Sequence, residues 1–147
     1  MTTGFRAWRV VLHGEFAWLT GVVMQIAWPY REPMRGVLDS PSGGVHAWLH
    51  LDEAYEHCRQ NTNFGVSTRL VLGSVGIAGR ILEHDLGYRA ELAYPAALYP
   101  SANQHGPSLK LVQALSRLYG CEVGARVPYP GPPWWQRMRT EKAQRYY

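Results

Sequence analysis

The sequence predicts an α+β protein: a twisted, mainly antiparallel sheet with a central β-hairpin, one or two packed helices and a Pro-linked C-terminal helical tail. Three observations carry that prediction. The longest apolar run, Gly21 to Trp28, is of strand length, and Ser67 to Glu83 is rich in Val, Leu, Ile and small residues. Fifteen glycines and ten prolines in 147 residues favour turns and short strands over a helical bundle. Leu109, Val112, Leu115 and Leu118 recur at the three-residue spacing of an amphipathic helix face.

Taken in order, Phe5 to Leu12 alternates Phe5, Ala7 and Val11 with Arg6, Trp8 and Arg9, a strand with both faces partly covered. His13-Gly14-Glu15 supplies a turn. Phe16 to Ala27 forms one or two further strands, with Gly21 as a bend or bulge. Trp28-Pro29-Tyr30-Arg31-Glu32-Pro33 leaves the sheet, because proline removes a ladder donor and restricts the residue before it. Asp39 to Gly44 is a surface loop and Val45 to Leu51 a short apolar segment. Asp52 is placed to N-cap a brief helix over Glu53 to Arg59, its acids favoured at the start by the helix dipole.

Ser67 to Glu83 and Tyr88 to Tyr94 flank Asp85-Leu86-Gly87 and read as the central hairpin. Gly73, Gly76 and Gly79 recur every third residue in its first strand, marking close backbone approach or a bulge and arguing against a helix. Pro95 and Pro100 bracket an irregular connection. A helix opens at Pro107-Ser108 and ends at Tyr119, before Gly120. Val127 to Pro133 is a stiff extended linker, and Trp134 to Tyr147 has helical pairings Arg137–Glu141 and Glu141–Arg145. The domain reading is a single α+β domain over 1–126 and a linker with a basic aromatic tail over 127–147.

With 46% hydrophobic residues and 12% aromatics, the chain has material for a real core. No apolar run approaches the roughly 20 residues of a membrane span, and the N-terminus has no signal-peptide pattern, so a cytoplasmic protein is expected. The cysteines, Cys58 and Cys121, read as two thiols, with one disulfide as the alternative. The net charge of +4 is unevenly placed. Arg126, Arg137, Arg139, Lys142 and Arg145 against Glu141 give 5 − 1 = +4, so residues 1–125 balance at ten basic and ten acidic side chains.

Gly79-Arg80-Ile81-Leu82-Glu83-His84-Asp85-Leu86-Gly87-Tyr88-Arg89-Ala90-Glu91-Leu92-Ala93-Tyr94-Pro95 resembles a signature of small proteins of actinobacteria and their bacteriophages. Phe5-Arg6-Ala7-Trp8-Arg9-Val10 and Leu118-Tyr119-Gly120-Cys121 are similar to the same family. The likeness touches scattered parts of residues 4–123 and leaves out the tail. It implies a phage or mobile-element setting and no established activity. Family members with a Cys-x-Cys-Gly element before the hairpin imply metal, but the corresponding stretch here, His57 to Gly65, has only Cys58.

His46, His50, His57 and Cys58 are the one cluster of metal-type ligands, and their spacing matches no standard zinc pattern, so His50, His57 and Cys58 stay as weak candidates and no cofactor is expected. Cys58 beside His57 makes a poor nucleophile pair if both lie on a strand. Glu83-His84-Asp85 reads as a solvated turn. Gly73 to Gly79 lacks both the phosphate-loop and the dinucleotide pattern. No catalytic residues are assigned.

The tail carries the binding expectation. Trp134, Trp135, Tyr146 and Tyr147 interleave with Arg137, Arg139, Lys142 and Arg145, residue types that serve both protein hot spots and nucleic-acid contacts. The expected function is non-enzymatic binding to a host or self protein, including assembly into an oligomer or larger particle. Nucleic acid is the alternative partner, a small metal-dependent enzyme the second alternative, and docking of the tail on its own domain the competing structural reading. No membrane partner is expected.

Overall fold

A computed structural model describes residues 2–22, 26–61, 70–100 and 109–124, with side chains placed through residue 57 in the first helix. Its elements are β1 (Thr2–His13), β2 (Phe16–Thr20), β3 (Met34–Arg35), β4 (Val45–Trp48), α1 (Leu51–Asn61), β5 (Leu70–Glu83), β6 (Gly87–Tyr99), α2 (Leu109–Tyr119) and β7 (Glu122–Val123). The tail, with all eight of its expected binding residues, and the Cys58 side chain lie outside the described residues.

The α+β architecture is as expected: among the described residues there is one mainly antiparallel sheet with two helices. Its strands also close on themselves. β5 pairs with β1 along one edge and with β6 along the other. On the far edges of those two strands, β4 pairs with both, through Phe5↔Trp48 on β1 and Val45 to Trp48 on β6. The circuit β1–β5–β6–β4 therefore returns to its start, which removes free edges from those strands over the paired residues. Gly4 permits the closure, since a Cβ there would stand 2.7 Å from the Ala47 Cβ and 3.3 Å from the Trp48 carbonyl.

Alternation along β1 sorts the apolar residues into two cores. Trp8 and Val10 join Leu19, Val71, Val75, Ile77, Leu98 and the α2 residues Leu111, Ala114, Leu115 and Tyr119. Ala7, on the opposite face, packs with Leu51 and Ala54 of α1 and with Leu70 and Leu72 of β5. One helix thus covers each face.

Four expectations about the elements change. The connection foreseen from Pro95 to Pro100 is strand: β6 runs to Tyr99, and Pro95 sits where the pairing steps from Ser74↔Ala97 to Val75↔Pro95, leaving Ala96 as an extra residue. A bulge is one of the few places a paired strand accepts proline. The α2 face is rotated, with Leu109 71% exposed and Leu111, Ala114, Leu115 and Tyr119 inside. α1 begins at Leu51, so Asp52 lies in the first turn rather than at the cap, and it runs on to Asn61. β2 stops at Thr20, and Ala27 returns only as a single bridge to it.

The glycine spacing in β5 has its expected cause at Gly79. The register jumps from Ala78↔Leu92 to Ile81↔Ala90, putting two residues opposite Glu91, and Gly79 takes a left-handed φ of +73°. The freed Arg80 amide donates to Glu91 Oε1 at 2.6 Å. Gly79→Ala is expected to cost about 1–2 kcal/mol, the usual penalty of a side chain in that conformation. Urea unfolding measures it, and an unchanged midpoint would contradict the assignment of the bulge.

Candidate functional site

On its outer edge β1 pairs with β4 at Phe5 and with β2 from Arg9 to His13. Between them, at Arg6 to Trp8, the described residues supply that edge with no strand. A cleft of about 460 Å³ opens there, lined by Arg6, Arg35, His46, His57, Trp28 and Trp48 with Val22, Ile26 and Met34 among its apolar walls.

Arg6 is the centre of it. Its Nη1 donates to the His46 carbonyl at 2.7 Å, and its Cζ lies 5.0 Å from the centroid of the Trp28 ring. Trp28 in turn meets Trp8 edge-on, with centroids 5.4 Å apart, so the platform beneath the guanidinium is part of the main core. Burial lowers the Arg6 pKa to about 10, which leaves the group charged at neutral pH.

The rim is held by long-range hydrogen bonds. Arg89 of β6 donates through Nη1 to the carbonyls of Ser40 and Gly43 and through Nε to His84 Nε2. The loop read as free surface in the sequence is thereby fastened beside the cleft. His46 Nε2 donates to the Ser42 carbonyl at 2.8 Å, fixing that imidazole on the same loop. His57 of α1 meets Trp48 at a tilt of 46°, with ring centroids 5.6 Å apart. Burial first, then the charge of Arg6, then His46, lower the His57 pKa, so its imidazole is neutral at pH 7.

Of the residues singled out as metal ligands, His46 and His57 come to this cleft, while His50 is exposed at the start of α1 and does not line it. No group of three or more His, Cys, Asp or Glu among the described residues is arranged to hold a metal ion. The turn Glu83-His84-Asp85 is exposed, and the His84 imidazole accepts from Arg89 Nε at 3.0 Å. Sequence reasoning missed Arg6 as a site residue. Its partners are remote, the His46 carbonyl lying 40 positions away, and no local pattern announces them.

Fold and cleft together define a small α+β protein with a closed circuit of antiparallel strands and a cation-bearing cleft in its wall. No protein-family model matches the chain, and no curated protein or solved structure gives a significant match. No helix among the described residues is long and apolar enough to cross a membrane.

Proposed function

We propose that this is a non-enzymatic binding protein of phage or mobile-element type that works in the cytoplasm of a bacterial host and attaches to a host or self protein through its C-terminal tail. One observation carries the reading: the entire net charge of +4 falls within residues 126–147, where Arg137, Arg139, Lys142 and Arg145 are flanked by Trp134, Trp135, Tyr146 and Tyr147, against a body that balances. The body also delivers the chain to an edge. β7 adds to β6 in parallel at Ala97 and Leu98, and the Gly124 amide donates to the Leu98 carbonyl, so residues beyond 124 start from an anchored point on the sheet. The phage setting rests on the family resemblance alone, whose most specific piece is the Gly79 to Pro95 hairpin.

Affinity capture from host lysate with the intact chain and with a chain ending at Gly131 tests the proposal. The expected result is a protein retained by the intact chain and lost on truncation, with the thermal transition of the body preserved. Equal catches would move the interface to the body. Unfolding of the truncated chain would make the tail a structural staple. A second reading, nucleic-acid binding, is favoured by the interleaving of cations with stacking side chains. It requires affinity that falls steeply with salt and disappears with the tail.

A further inference from the structure

We propose that the Arg6 cleft is a binding site for a small ligand that carries an oxyanion, either a carboxylate or a phosphate, on a planar apolar body. The guanidinium is held for that purpose from two sides. The His46 carbonyl takes Nη1, and Cζ sits over the Trp28 ring, 5.0 Å from its centroid. Among the described residues the buried Nε has no hydrogen-bond partner, and the His46 carbonyl is the one acceptor they offer Arg6. Nε–H and the neighbouring Nη2–H project side by side, a fork whose spacing matches the two oxygens of a carboxylate or phosphate.

A buried N–H of a charged group is costly when it lacks an acceptor, and a ligand oxygen would remove that cost. The lining supplies no carboxylate for it: its titratable members are Arg6, Arg35, His46 and His57, with no Asp or Glu. Arg35, exposed at the rim, adds a second positive charge. Trp28, Trp48 and the apolar walls set the rest of the preference, for a flat and largely nonpolar body. The volume of about 460 Å³ lies in the usual range of small-molecule sites, about 300–1,000 Å³. None of the lining residues belongs to the tail sequence, so Arg6 substitution and tail deletion change different residues.

Calorimetric titration of the full chain with 1-naphthoate, 1-naphthyl phosphate and the uncharged 1-naphthalenemethanol tests the proposal. At least one oxyanion probe is expected to saturate one site per chain, roughly tenfold or more tighter than the alcohol, as expected for a hydrogen-bonded charge. The tighter of the two anions identifies the source as carboxylate or phosphate. Arg6→Gln should abolish the preference over the alcohol. Arg6→Lys, which keeps the charge and loses the fork, should weaken the anion by roughly tenfold as well. Arg35→Gln, at an exposed position where folding is not at stake, should weaken it by about threefold, a rim-charge effect. Absence of binding by both anions, equal affinity for anion and alcohol, or anion binding that the Arg6 and Arg35 variants leave unchanged would each overturn the proposal.

Discussion

Trp8→Ala is expected to lower the stability of the body by about 3–5 kcal/mol, the range for removing a fully buried aromatic side chain. Trp8 is 0% exposed, meets Trp28 edge-on and belongs to the core that joins β1, β2, β5, β6 and α2. Its ring also lies over Gly73, where a Cβ would come within 3.0 Å of the indole Cζ3 and 2.2 Å of the Ala97 carbonyl. A side chain at Gly73 could not enter that space without moving the β5–β6 ladder. Set against a typical domain stability of about 5–15 kcal/mol, the loss leaves little margin. Trp8→Phe should cost much less than the alanine change. It keeps most of the volume, and it removes an indole N–H that is buried without a hydrogen-bond partner among the described residues, a group that costs about 1–3 kcal/mol when unpaired. Urea unfolding followed by circular dichroism measures both variants without relying on tryptophan emission. A Trp8→Ala midpoint close to that of the parent would sink the prediction.

The hairpin was legible because its signals are local. Asp85-Leu86-Gly87 forms the turn, closed by the His84 amide on the Gly87 carbonyl, and Gly79 marks a true bulge. Closure of the sheet was not legible, since it depends on Phe5 finding Trp48 and on the close approach of Ala47 to Gly4, neither of which has a periodic trace. Proline at 95 misled for a related reason. Its local meaning is an exit from the sheet, and only the register step against Ser74 and Val75 makes room for it. In α2 the spacing permits two apolar stripes. The helix uses the one that ends on Tyr119, whose hydroxyl has polar partners inside the core.

The site follows the same division. Histidines 46 and 57 stood out in the sequence as metal-type side chains, and they do converge, but around a guanidinium rather than on one another's ligand positions. Arg6 read as one charged position in an alternating strand. What singles it out is the gap between β4 and β2 on the edge of β1, a property of three strands and of no short segment. The fixed loop at 39–44 likewise depends on Arg89 reaching Ser40 and Gly43 from another strand.

Tyr119→Phe is expected to cost about 2–4 kcal/mol although it deletes a single oxygen, because it leaves two buried groups unpaired at about 1–3 kcal/mol each. The Tyr119 hydroxyl accepts from the Leu19 amide at 2.8 Å and donates to the Trp28 carbonyl at 3.0 Å. Beside it the Trp28 amide donates directly to the Leu19 carbonyl at 2.8 Å. The phenol therefore completes, by relay, a strand pair that has opened by the width of one oxygen. Amide exchange at Leu19 should accelerate in the variant, and urea unfolding should show the lost stability. An unchanged midpoint with a still-protected Leu19 amide would rule the relay out. The same hydroxyl gives the protein an alkaline limit. Burial raises the Tyr119 phenol, and it pushes the Cys121 thiol from 9.0 up to about 11. The unfolded chain releases these protons at a lower pH than the folded chain does, so the unfolded state gains as pH rises. The thiol's contribution is full below pH 9.0 and is lost as pH climbs through about 11, with the phenol extending the loss to still higher pH. Tyr119→Phe removes the phenol's share, so its stability should fall less steeply than the parent's at the alkaline end. Cys121→Ser should flatten the earlier part of the curve.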